Sequence, residues 1–509
     1  MHSTTENLSP NIILDKIGLL VDLSSDLQQA KGTKKALEWC DLADKIGLSP
    51  AQKCLLDYFR ANAWHNRFLE KKLSHSEQWA WEQPEIERQI YYLRRAYSAT
   101  GFEQLETIRR CQILTNLANQ FNTIGRFIQA IECWDSALNI EPFFGMALGN
   151  RGRGISYYAM ALYDSGHVST FLGFAHAALI KSLSNSAKYY GEDASVIKLY
   201  SVRKASIESL FDSANEIKKA TEFTDYSTGE TQEEIAYRQW CLHNVLFLNP
   251  LNDVCQHSIA SNDILLLPSI TTPLKHANPP GIIGFFCQMK QEFASARWLY
   301  YEGMTSKIPH FSDKQVLLLD TPDYPAYSLS IEKVKLAYRS AYSIFDKIAF
   351  LLNSYFKLGE KENAVNFRGI WYNKNSKKFG IRSEFLPANW PLRGLFWLSK
   401  DLFENDFQTV LSPDSKELHT IRNHLEHKHI AIHFRPIHNT LSLDSDHLGY
   451  GIDREELESK TLRILKIARG ALIYLSLAIH AEENRRHQGD EKRVMMPMML
   501  SSMEDDWKI

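Results

Sequence analysis

Apolar residues recur every three to four positions along most of the 509-residue chain, and alternating runs are scarce. That period predicts an almost all-α protein. The strongest run covers 331–359, where Leu336, Ile344, Ile348, Leu351, Leu352 and Tyr355 form one apolar stripe and Gly359 stops the helix. Residues 392–403 read as a short helix and 453–486 as a long closing one. Residues 412–434 read as a helix with Ser412 as its cap and Pro413 in its first turn. Between them, WYNKNSKKFGIR (371–382) reads as a basic loop. Proline-rich breaks at 265–282 and 319–330 cannot be continuous helix, and the second sets the main domain boundary.

The region before that boundary carries a local repeat. From Cys111 to Phe144, the residues Leu117, Ala118, Phe121, Gly125, Ala130, Trp134, Ala137 and Pro142 hold the spacing of the tetratricopeptide consensus. Small residues at 118, 130 and 137 let two antiparallel helices approach, and aromatics at 121 and 134 fill the gaps. Gly125 permits the tight turn and Pro142 ends the second helix. The unit resembles a tetratricopeptide repeat. Ala36, Cys40 and Ala43 repeat its spacing, a second helix follows over 51–68, and 146–166 and 286–303 are weaker copies. One repeat cannot bury its own faces, so a solenoid over 1–325 is expected. A helical bundle at 326–487 and a methionine-rich tail at 488–509 follow it.

Composition narrows the class. At 44% hydrophobic, 23% charged and net charge −2, the chain has a globular profile, and its length implies several domains. Seven cysteines at irregular spacing, with no CxxC pair, suit reduced and mostly buried thiols. The start, MHSTTENLSPN, lacks a signal-peptide pattern, and the apolar run 471–479 is far short of the roughly 20 residues of a membrane span. A cytoplasmic protein with no membrane partner is expected.

The densest chemistry lies in IRNHLEHKH, residues 421–429. On a helical wheel, Leu418, Ile421, Leu425 and Ile432 share one sector. Arg422, Asn423, Glu426 and His427 share the opposite one, with Ile430 among them. Arg422 with Glu426, and Asn423 with His427, are i,i+4 neighbours on a face turned away from the bundle's core. A second copy related by twofold symmetry would cover such a face and double the set.

Arg422-Asn423-x3-His427 resembles the R-x4-H motif of the HEPN superfamily of RNA-cleaving helical bundles. The resemblance covers about 326–487 and extends to the runs YSIFDKIAFLLN, NWPLRGLFWLSKDLF and RNHLEHKH, with WCLHNVLFLNPLND (240–253) upstream. It implies metal-independent transesterification, in which an RNA 2′-hydroxyl attacks the adjacent phosphate to leave 2′,3′-cyclic phosphate and 5′-hydroxyl ends. It also implies a homodimer, no cofactor, and a role as a toxin or in anti-phage defence, with a protein or peptide partner on the helical repeats. Arg422, Asn423 and His427 become the catalytic candidates. Histidine moves protons near neutral pH, and arginine offers a planar donor fork to phosphate. Glu426 and Asp346 are candidate supports; Asp346 either orients Arg422 across the bundle or pairs at the surface with Lys347 or a neighbouring arginine, the two readings being equal. Lys377, Lys378 and Lys428 are candidate RNA-phosphate contacts, as are Lys374 and Arg382 beside them. Relatives paired with a nucleotidyltransferase antitoxin carry a tyrosine two residues after the motif histidine; here that residue is His429.

Plainer meanings compete. A polar helix face in a bundle that only dimerises, within a scaffold protein, fits the same residues. So does a metal-dependent hydrolase, because His429 and His433 have i,i+4 spacing. A solvated loop accounts equally for the lysines near 377.

Overall fold

A computed structural model describes residues 9–191, 194–271, 281–319, 325–403, 415–433, 449–487 and 498–508. Among these residues, seventeen α-helices and one pair of short strands make an all-α protein. The N-terminal helices are α1 (Pro10–Asp26), α2 (Ala30–Ala43), α3 (Pro50–Glu70), α4 (His75–Gln78), α5 (Pro84–Ser98), α6 (Thr107–Thr123) and α7 (Phe127–Ile140). They continue as α8 (Gly145–Ala161), α9 (Ser165–Ser182), α10 (Ala194–Glu208), α11 (Ala214–Lys219) and α12 (Gln232–His243). The remaining helices are α13 (Gly281–Thr305), α14 (Leu329–Tyr355), α15 (Trp390–Phe403), α16 (Ser415–His427) and α17 (Arg454–His487). The strands are β1 (His429–His433) and β2 (Gly449–Asp453). No described helix is long and apolar enough to cross a membrane.

The N-terminal helices pack in successive pairs, as repeats require. In the best-matched unit, α6 and α7 meet over Ala118, Phe121, Ala130, Trp134 and Ala137, all buried. Gly125 turns the chain between them at φ +86°. Its hydrogen in place of a side chain serves a second purpose. A Cβ there would lie 2.2 Å from the Trp390 carbonyl oxygen and 2.8 Å from the Gly394 nitrogen, so the repeat's turn sits directly on the backbone of α15.

That contact belongs to a broad junction between the N-terminal helices and α15 and α17. The Trp390 indole donates to the Asn122 carbonyl at 3.0 Å. The Tyr474 hydroxyl donates to Gln129 at 2.7 Å and accepts from the Ile128 amide at 3.1 Å. Charges are buried with it. Asp401 on α15 accepts two bonds from Arg94, at 2.7 and 2.8 Å, and another from Arg126. Lys400 pairs with Glu87. On α17, Arg469 reaches Asp253 at 2.5 Å and the carbonyls of Phe247 and Asn249. Burial pushes the Asp401 carboxyl upward, but Arg126 and Arg94 more than offset this and hold it well below the ordinary aspartate range.

Helix α14 forms as its stripe predicts. Ile344, Ile348, Leu351, Leu352 and Tyr355 are buried, whereas Leu336 is exposed at a cleft. The helix ends at Tyr355, and the chain then passes through positive φ at Lys357 and Gly359. Helix α13, which holds the weaker copy expected over 286–303, packs along α14. The helix expected over 412–434 is shorter, since α16 stops at His427 and His429–His433 pairs in parallel with Gly449–Asp453. The Ala326 amide donates to Ile432 at 2.7 Å on the other side of that strand. Ser412 and Pro413 lie outside the described residues.

Asp401→Ala would take this carboxylate from the buried Arg126 and the half-buried Arg94. It is expected to cost about 3–5 kcal/mol in urea unfolding of the full chain. Because the native Asp401 value is depressed, its stabilisation is complete above the unfolded aspartate pKa and disappears as pH falls through the native one. Asp401→Ala should therefore lose less at low pH than at pH 7. Gly125→Ala should also destabilise, by more than the about 1 kcal/mol of a left-handed backbone alone, because the new methyl overlaps α15.

Candidate functional site

Helix α16 buries few apolar side chains. Leu418 and Ile421 are fully buried and Leu425 half so, and these turn the helix onto its bundle. The Tyr338 hydroxyl donates to the Leu418 carbonyl at 2.8 Å and fixes α16 against α14. The other side of α16 then meets a row of polar groups on α14.

Arg422 is half-buried, its guanidinium carbon 5.8 Å from the centre of the Tyr342 ring. It therefore leans on α14, where the wheel alone placed it facing away from the core. Its Nη1 donates to the Asn423 amide oxygen at 3.2 Å. The Asn423 nitrogen lies 2.9 Å from His419 Nε2, one turn back. Glu426 accepts two bonds from Arg339 on α14, each 3.2 Å. His427, the last residue of α16, is exposed, as are Lys428 and His429.

Asp346 makes its contact elsewhere. Its carboxylate accepts the Phe367 amide at 3.1 Å and makes no hydrogen bond or ion pair with Arg422 among the described residues. Burial lifts its carboxyl above the ordinary aspartate value, against the Phe367 N–H and the Arg422 charge. Burial likewise raises Tyr342 well above the usual tyrosine range, opposed by Arg422. Asp346 thus tethers the loop after α14 at Phe367, the residue before Arg368. Burial lowers the His419 pKa, and the Arg422 and Arg368 charges lower it further.

The basic candidates divide. Lys374, Lys377 and Lys378 are exposed, with Lys374 4.8 Å and Lys378 6.0 Å from the Phe379 ring. Arg382 is buried and binds Glu360 at 2.5 Å and the Ile370 carbonyl at 2.8 Å, so it holds the loop together and is withdrawn from RNA. Lys428 borders a cleft of about 200 Å³ between α14 and the end of α16, with Lys335, Leu336, Arg339 and His429.

Two expectations fail because of β1. Ile430, placed on the outward helix face, is buried in the strand. His429 and His433 stand four residues apart on a strand, roughly 13 Å at its rise per residue, against roughly 6 Å on a helix. One is exposed and the other buried, so they cannot chelate one ion. Among the described residues no group of three or more His, Cys, Asp or Glu gathers to hold a metal.

Two residues in contact with Arg422 and Asn423 were missed in the sequence: His419 and Tyr342. His419 had a readable signal, the i,i+4 spacing to Asn423. Tyr342 sits in an apolar run and reads as core.

Helix α16, which carries the R-x4-H residues, packs against α14 and α15. Residues 273–482 match the family model described as LA2681-like HEPN, so the C-terminal region of this chain is a HEPN domain. No curated protein and no solved structure matches the chain.

The raised Asp346 pKa means that its ionised form costs native stability above that pKa, a cost relieved as pH falls below it. Asp346→Asn keeps an acceptor for Phe367 and should leave stability at pH 7 unchanged or slightly higher. Asp346→Ala strands the amide and should cost about 1–3 kcal/mol. Urea midpoints of the two variants check this, and the reverse order contradicts it.

Proposed function

We propose that the HEPN domain is a metal-independent endoribonuclease. The observation that carries this reading is the arrangement on α16. Arg422 is held between Tyr342 and Asn423, while His427 stands exposed at the end of the same helix. A fixed guanidinium suits a phosphate whose charge grows during reaction, and an accessible imidazole suits proton transfer.

In the proposed step the RNA 2′-oxygen attacks the adjacent phosphorus and loses its proton to one imidazole. The bond from phosphorus to the 5′-oxygen breaks, and a second imidazole protonates that oxygen. The products are a 2′,3′-cyclic phosphate and a 5′-hydroxyl. Each chain brings one motif histidine, so a homodimer across α16 would supply the pair. Single-stranded or looped RNA is the expected substrate, since its backbone bends freely into the site. Lys377, Lys378 and Lys428 are proposed phosphate contacts around it.

HEPN-domain proteins commonly cut RNA as toxins or in anti-phage defence, and we assign this chain to that role. The N-terminal helices, read as tetratricopeptide-like repeats, would receive the controlling protein or peptide. Their junction with α15 and α17 gives such a signal a physical route to the bundle. The catalytic unit is best taken to start before α13, upstream of the boundary expected near 325, because α13 packs along α14 and the family match begins at 273.

The purified protein should cut RNA in excess EDTA and leave cyclic phosphate ends. Arg422→Ala and His427→Ala should each lower the rate by about 10²-fold or more without shifting the unfolding midpoint. A strict metal requirement, or full activity in both variants, overturns the reading.

A further inference from the structure

The hydrogen bonds around Asn423 can be oriented from one end. Arg422 has only N–H groups, so its 3.2 Å contact fixes the Asn423 amide oxygen toward the guanidinium. The amide NH2 must then face His419, 2.9 Å away at Nε2. Nε2 accepts, so the imidazole is neutral and carries its proton on Nδ1. That Nδ1 is buried and makes no hydrogen bond among the described residues. A buried donor without an acceptor is uncommon away from functional sites.

We propose that His419 is a positioning residue whose neutral Nε2 locks the Asn423 amide and, through it, aims the Arg422 guanidinium at the RNA phosphate. This rests on the nuclease reading above.

Protonation would break the lock. An Nε2–H would confront the Asn423 NH2, the amide would turn over, and its NH2 would then confront Arg422. The network therefore assembles only while His419 is neutral. The surrounding charges favour that state. Arg422 on the same helix and Arg368 on the loop after α14 both oppose a second positive charge. From α14, Asp346 and Tyr342 face Arg422. On α15, Lys400 and Asp401 are taken by Glu87, Arg94 and Arg126. Glu417, two residues before His419, binds Lys460 of α17 at 2.5 Å.

The test compares wild type with His419→Gln and His419→Leu in the full chain. Glutamine can offer an oxygen where Nε2 stands but cannot titrate; leucine offers nothing. His419→Gln should keep a near-wild-type kcat at neutral pH and show a shallower acid limb in the pH–rate profile. His419→Leu should lose tenfold or more in kcat at every pH, with KM little changed and an unshifted unfolding midpoint. A leucine variant that matches wild type in kcat and pH profile overturns the proposal. Imidazole ¹⁵N NMR, with His419 assigned by its absence from His419→Gln, gives an answer independent of cleavage. A proton on Nδ1 supports the lock, and a proton on Nε2 refutes it. If wild type cuts no RNA, the nuclease reading falls while the tautomer still decides whether the lock exists.

Discussion

A carboxylate sealed from water needs positive partners, and Asp401 finds them 307 and 275 residues earlier in the chain, on Arg94 and Arg126. Its own helix, α15, cannot satisfy it. This pairing, with Lys400–Glu87 and Arg469–Asp253, makes the placement of α15 and α17 depend on the N-terminal helices. Removing one member of such a pair costs more than the pair contributes, because an uncompensated charge remains buried. The HEPN domain is thus specified jointly with the helices that precede it. The backbone approach of Gly125 to Gly394 sets the distance at which they meet.

From that frame the site follows by packing. Helix α15 flanks α16, and α16 commits Leu418 and Ile421 to the core while leaving most of its length polar. Polar groups crowded on one helix face need partners or water. Here they take partners in order along α14, Arg422 against Tyr342 and Glu426 against Arg339. The face is consequently neither a free solvent surface nor a sealed interface. It is an ordered shelf that ends in the exposed His427.

Much of the fold was legible in the sequence because long helices repeat their pattern. The stripe from Ile344 to Tyr355 and the closing run from 453 to 486 leave little choice of period. HIAIH (429–433) was misread as helix, since three apolar residues in five do not separate the two periods and its strand partner lies twenty residues away. Arg422, Asn423 and His427 were singled out by their spacing and the resemblance it carries, but the lean of Arg422 onto Tyr342 was not legible, because a wheel shows one helix without its neighbour. The junction was invisible for a related reason. Nothing local marks Arg94, Arg126 and Asp401 as partners, and each reads alone as a surface charge.

In the proposed nuclease a 2′-hydroxyl of the RNA is the nucleophile, and the site only positions it and moves its proton. The most direct measurement maps a cut position in a short RNA, then replaces that single 2′-hydroxyl by hydrogen and repeats the reaction. The modified strand is expected still to bind and no longer to be cut at that position. Cleavage there at the unmodified rate would contradict this mechanism and point to attack by water.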